Sequence, residues 1–232
     1  MTQTEQLNEL FQRWSNRYAG PEQIRFVKDG IIDQVKWDQN RPGKRVLFLL
    51  KDPNLGDTGS GNHDFREWAC KAPWKELGYW AYGLRHTTTS YFPPFEEAKQ
   101  VCNEECLASA VLNLKKIGGR GIADDNQLTH AVESDWDLIE EEFNIIRPDI
   151  VVCGGTWNFV YKQASLNFSS QSTRAKNALW IKYCHPSARV DSEIKYYGLA
   201  ALYQKILQRE QSGVGARGAN FPLYLTAARL RI

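Results

Sequence analysis

The feature that most constrains this chain is a set of short, unbroken apolar runs, each closed by polar or glycine-rich residues. Val46-Leu47-Phe48-Leu49-Leu50, Ile150-Val151-Val152-Cys153 and Leu179-Trp180-Ile181-Lys182-Tyr183 have the length of strands. A strand without polar alternation is buried on both faces, as in a parallel sheet covered by helices on either side. Apolar residues at helical spacing fill the intervals at 96–112, 135–146, 157–164 and 193–207. Leu7, Leu10, Phe11, Trp14 and Tyr18 mark one more amphipathic helix, stopped by Gly20-Pro21. The alternation predicts an α/β fold: a single domain over residues 1–212, with a central, mostly parallel four-stranded sheet flanked by helices on both faces. From Gly213 the glycine-rich GVGARGAN opens a C-terminal tail, residues 213–232, without a clear period.

Composition narrows the class. Hydrophobic residues at 42% and charged residues at 24% exclude a disordered, collagenous or coiled-coil chain. No apolar run approaches the ~20 residues of a membrane span, and the polar start MTQTEQLNEL lacks a secretory core, so a cytoplasmic protein with no membrane partner is expected. Lysine plus arginine (29) nearly balance aspartate plus glutamate (27), so bulk charge neither demands nor excludes a nucleic-acid partner. The five cysteines include no CxxC pair and lie in or beside apolar segments, which reads as reduced core thiols. No metal or cofactor is expected, and His63 with Asp57 and Asp64 is a weak ligand set.

There is no GxxxxGK[ST] loop, no GxSxG elbow, no GxGxxG fingerprint following an apolar strand-like run and no HxE with CxxC set, which removes the commonest α/β enzymes. Ligands of open α/β sheets bind at the carboxyl ends of the strands, so the residues that follow each run carry the functional signal. These are Lys51-Asp52-Pro53-Asn54, Val111-Leu112-Asn113-Leu114, Gly154-Gly155-Thr156 and His185-Pro186-Ser187-Ala188-Arg189. Taken singly, each has an ordinary reading: Asp52 as a turn residue, Asn113 as a helix cap, Gly155-Thr156 as a tight turn, Phe65 as core.

Taken together and in this order, the pieces resemble the uracil-DNA glycosylase superfamily over about residues 44–207. The resemblance implies that Asp52 belongs to the water-activating loop and that Phe65 stacks on an extruded base whose edge Asn113 reads. It also implies that Gly155 and Thr156 hold a DNA phosphate, that His185 is catalytic and that Arg189 is the wedge entering the duplex, with Ser187 in the same loop. Asn54 stands where the uracil-specific branch has a tyrosine, and residues 68–95 are rich in aromatics, which points to a reshaped pocket and a damaged or modified pyrimidine. A bulky base of the kind found in viral DNA, and with it a defence role, is one expectation within that. Lys182, Arg174, Lys176 and the stretch from Lys115-Lys116 to Arg120 are candidate phosphate contacts.

The residue types suit the chemistry. Breaking an N-glycosidic bond leaves positive charge on the sugar and negative charge on the departing base, so a carboxylate near the sugar and a donor at the base oxygen stabilise the transition state. Asp52 and His185 supply these in a monomeric, monofunctional DNA glycosylase acting on single- or double-stranded DNA. The rival expectation is a non-catalytic nucleic-acid-binding module on the same fold.

Overall fold

The computed structural model describes residues 1–53, 63–67, 74–119 and 123–213. Asn54 and the tail from residue 214 lie outside the described residues. The elements in order are α1 (Gln3–Ser15), α2 (Pro21–Ile24), β1 (Val27–Lys28), β2 (Gly30–Ile31), α3 (Gln34–Asp38), β3 (Val46–Leu50) and β4 (His63–Asp64). A 3₁₀ turn (Phe65–Glu67), α4 (Lys75–His86), α5 (Phe95–Leu107), β5 (Ala110–Asn113) and α6 (Asp125–Ile146) follow. The chain continues with β6 (Ile150–Gly154), α7 (Trp157–Val160), β7 (Ser172–Ala175), β8 (Ala178–Tyr183) and α8 (Ser192–Gln211).

The three apolar runs are strands β3, β6 and β8, and the fold is α/β as their pattern predicts. The sheet, however, has six strands and is mixed, in the order β2-β5-β3-β6-β8-β7. The four inner strands run parallel, and the two outer ones, β2 and β7, run antiparallel to their neighbours. A separate parallel pair joins β1 to β4. The expected count of four is therefore corrected to six, because β2 spans only two residues and β7 (STRA) is polar, so neither carries an apolar signal.

Alternation along β3 divides the core between the two faces of the sheet. Leu47 and Leu49 pack with Leu7, Leu10, Phe11 and Trp14 of α1, with Leu138 and Phe143 of α6 and with Trp157 of α7. Val46, Phe48 and Leu50 pack with Leu77, Trp80 and Leu84 of α4 and with Leu199 and Tyr203 of α8. Helices thus cover both faces, as expected. Several helix boundaries differ from the apolar pattern. Helix α1 ends at Ser15, short of Tyr18, α5 ends at Leu107 so that Ala110–Asn113 is free to form β5, α7 stops at Val160, short of 164, α8 runs on to Gln211, past 207, and α6 begins ten residues earlier than position 135. Asp124 fixes that start by accepting from the backbone N–H groups of Asn126 and Gln127. Among the described residues, no helix is long and apolar enough to cross a membrane.

Candidate functional site

The exits of β3, β6 and β8 meet because one residue between them lacks a side chain. A Cβ on Gly154 would stand 2.9 Å from Leu50 Cδ2 and 3.2 Å from Pro186 Cδ, so this glycine lets the β3 loop and the His185 loop close on each other. Gly155, at φ 74°, donates its N–H to Tyr183 O at 3.0 Å, and a Cβ there would touch His185 Cβ at 3.4 Å. The β3 loop is held from its other side by the residues after β5. Leu114 and Lys115 donate backbone N–H groups to Leu50 O and Lys51 O, each at 3.0 Å, and Gly119 donates to Pro53 O at 2.9 Å.

Asp52 is half-buried in this setting. Its carboxylate occupies the space that a side chain on Gly119 would need, with Oδ2 only 2.3 Å from where that Cβ would lie. Burial pushes the Asp52 pKa up from its ordinary value, and the ammonium groups of Lys115 and Lys51 oppose the rise. Lys51 is itself anchored, donating to Asp125 Oδ1 at 2.8 Å.

His185 is half-buried, and its protonation pattern follows from its partners. The Ser187 N–H points at Nδ1 at 3.2 Å, and a backbone N–H can only donate, so Nδ1 accepts and the neutral ring carries its proton on Nε2. Ser187 Oγ also lies 2.7 Å from Nδ1, so the exposed Ser187 orients the ring. Burial lowers the His185 pKa below its ordinary value, and the nearby cations Lys51 and Lys195 lower it further. The Lys51 charge thus acts on both Asp52 and His185.

Lys195 of α8 was not among the residues that the sequence singled out. Its buried ammonium donates to Pro186 O at 2.7 Å and lies 3.3 Å from Glu76 Oε2, which also accepts from Ser192 Oγ at 2.7 Å. The cation therefore pins the histidine loop onto α4 and α8. A lysine inside an ordinary helical pattern carries no sequence signal of such a role.

Several candidates do other work. Asn113 is buried at the end of β5, where its backbone N–H and Nδ2 donate to Asp29 Oδ2 at 2.7 and 2.9 Å. Asp29 belongs to a fully buried group with Lys116 and Glu142, in which Lys116 Nζ lies 2.5 Å from Asp29 Oδ1 and 2.7 Å from Glu142 Oε2. That ammonium also sits over the rings of Phe11 and Trp14, at 5.3 and 4.9 Å. Burial, with the adjoining Asp29 charge, raises Glu142 well above its ordinary value, against the opposing charge of Lys116, and so favours the neutral acid. Lys116 is thus an internal cation and not the phosphate contact that the charge pattern suggested.

Thr156 is buried, and its hydroxyl donates to Leu49 O at 2.9 Å, tying β6 to β3 instead of facing a phosphate. Phe65 is buried in the face covered by α4 and α8, edge-on to Trp74 at 5.0 Å, and presents no open stacking surface. Arg174 is paired with Glu210 and Lys176 with Glu140. Lys182 and the exposed Arg189 remain on the rim side of β8. In the aromatic stretch, Tyr79 meets Phe95 at 5.0 Å and Phe95 meets Tyr196 at 5.4 Å, so these rings join α4 and α5 to α8. They are packing before they are pocket.

A cleft of about 430 Å³ lies at the opposite end of the parallel strands, lined by Arg45, Arg147, Asp149 and Lys176. Lys176 there is paired with Glu140, and Arg147, at φ 51°, closes the C-terminus of α6, so these groups already serve the fold. A search against protein-family models finds no match for this chain, and neither does a search of curated proteins.

Proposed function

We propose that the rim formed by Asp52 and His185 hydrolyses an N-glycosidic bond in DNA, releasing a damaged or modified pyrimidine and leaving an abasic site. The observation that carries this reading is a half-buried carboxylate and a half-buried imidazole on the loops that leave β3 and β8, which close on each other across Gly154. Asp52, when ionised, orients the attacking water and stabilises positive charge on the sugar. His185 presents Nε2–H, so it donates to the base oxygen as negative charge develops there. Water oxygen bonds to the sugar carbon, the carbon–nitrogen bond breaks with its electron pair going to the base, and the water proton is taken up at the carboxylate or by solvent. In this reading Phe65 and Thr156 serve the fold, and the exposed Arg189, four residues after the histidine, is the wedge that enters the duplex. The choice of a modified base rests on Asn54 in the sequence.

Excision, scored as alkali-labile sites on DNAs carrying uracil, other deaminated bases and modified cytosines, tests the proposal. Asp52→Asn is expected to slow cleavage by about 10² to 10⁴-fold, and His185→Ala by about 10² to 10³-fold. No cleavage of any substrate, with DNA binding retained, overturns the enzyme reading in favour of a binding module. That rival draws on the structural bonds of Asn113 and Thr156, which the resemblance alone would have given to DNA.

A further inference from the structure

Charge is unevenly placed along this chain. The whole sequence holds 27 acidic residues and nets +2, yet residues 150–190 contain no aspartate or glutamate and carry Lys162, Arg174, Lys176, Lys182 and Arg189. Glu210 and Glu140, from outside the stretch, pair with Arg174 and Lys176. Lys162, Lys182 and Arg189 form no ion pair among the described residues.

Two of these three cations lie on aromatic rings. Lys182 Nζ is 5.4 Å from the centroid of Phe168, and Lys162 Nζ is 5.9 Å from that of Tyr161. The two rings are 4.8 Å apart at 55°. Phe168 is 51% exposed, a large apolar surface to leave in water, while Ala164 and Leu166 of the same loop are buried and anchor it. The platform is held in shape: Ser165 turns the chain at φ 56°, Leu166 N–H donates to Tyr161 O at 2.7 Å, and Lys182 N–H donates to Gln171 O at 2.8 Å. Its place is fixed too, since Lys182 lies opposite Cys153, one register step before Gly154 and Tyr183. The pattern continues toward the β3 exit, where Lys51 Nζ lies 5.2 Å over Phe159.

A half-exposed ring flanked by ammonium groups and free of nearby acidic sequence matches a ligand that alternates planar π-faces with single negative charges. That ligand is a nucleic-acid strand, and an unpaired one, because bases within a duplex show only their edges, their faces being covered by neighbours. We propose that Tyr161, Lys162, Phe168 and Lys182 bind unpaired nucleic acid, a base stacking on Phe168 and the two lysines meeting phosphates. The inference rests on the glycosylase reading only for the direction of the strand, which would run from this platform to the Asp52 and His185 rim.

Fluorescence anisotropy on the full chain, with a labelled oligothymidylate and a blunt duplex of equal length over a salt series, tests it. The expected result is preference for the single strand, a roughly tenfold loss of affinity in Phe168→Ala, and recovery in Phe168→Tyr. Lys162→Gln combined with Lys182→Gln should reduce the slope of log affinity against log salt by about 1.4. Wild-type affinity in Phe168→Ala, an unchanged slope in the double variant, or preference for the duplex would each overturn the proposal. Oligothymidylate offers no damaged base, so binding does not depend on excision. A protein that binds as described yet cleaves nothing refutes the glycosylase reading alone, and one that cleaves with binding indifferent to Phe168 refutes this platform alone.

Discussion

Two strand exits of the same sheet treat charge in opposite ways. Behind β5, Asp29, Lys116 and Glu142 are sealed from solvent and answer one another within hydrogen-bond distance. At β3 and β8, Asp52 and His185 are half-buried, and among the described residues the cations around them shift their titration without forming ion pairs with them. Burial with compensation makes a structural member, because removing either side leaves a stranded charge. Partial burial without such compensation perturbs a carboxylate and an imidazole, a combination that recurs where such groups do chemistry.

The contrast is breakable, and its sealed side breaks hardest. Lys116→Met should cost about 3 to 5 kcal/mol in denaturant unfolding, because it strands the buried carboxylate of Asp29; a loss below 1 kcal/mol would show that the cluster is not held by its cation. Asn113→Ala should cost about 1 to 3 kcal/mol, since Asp29 loses a buried donor. If the Asn113 amide reads a base instead, the unfolding midpoint will hardly move and excision will become less selective.

On the open side, the proposed excision needs Asp52 ionised and His185 neutral. Excision should therefore be full at neutral pH and fall on acidification, as His185 protonates below its ordinary 6.5 and Asp52 above its ordinary 3.8. Lys195→Met removes a cation that disfavours imidazolium, so the His185 titration followed by NMR should move toward neutral pH. An unmoved titration would leave Lys195 as a loop anchor only. The smallest effects come from neutral isosteres. Glu142→Gln should change stability by less than about 1 kcal/mol, because burial already favours the uncharged acid. Asp52→Asn should raise the melting temperature slightly, because a carboxylate pushed up by burial is destabilising when ionised. A clear fall in either would mean that the carboxylate is needed in its charged form.

The legible part of this molecule was its buried frame. Val46 to Leu50 and Ile150 to Cys153 announce parallel strands because nothing polar interrupts them, and helices on both faces follow. Strand β5 was half-hidden, since Ala110, Val111 and Leu112 extend the apolar rhythm of α5 and only tertiary pairing ends that helix at Leu107. The site was legible as a set of strand exits but not as a division of labour. Asn113 and Thr156 have the residue types of ligand contacts, and which way an amide or hydroxyl turns depends on partners such as Asp29 and Leu49, far away in sequence. The roles of Lys116 and Lys195 were invisible for the same reason, because a lysine reads as surface until its carboxylates and carbonyls are in place.

The antiparallel strands at the two ends of the sheet have a consequence for assembly. Among the described residues, β2 offers two residues of outer backbone, and β7 offers four, along which Arg174 is held by Glu210. Another chain seeking to extend this sheet would gain few hydrogen bonds at either end and meet a charge pair at one of them. Growth by strand addition is thereby discouraged.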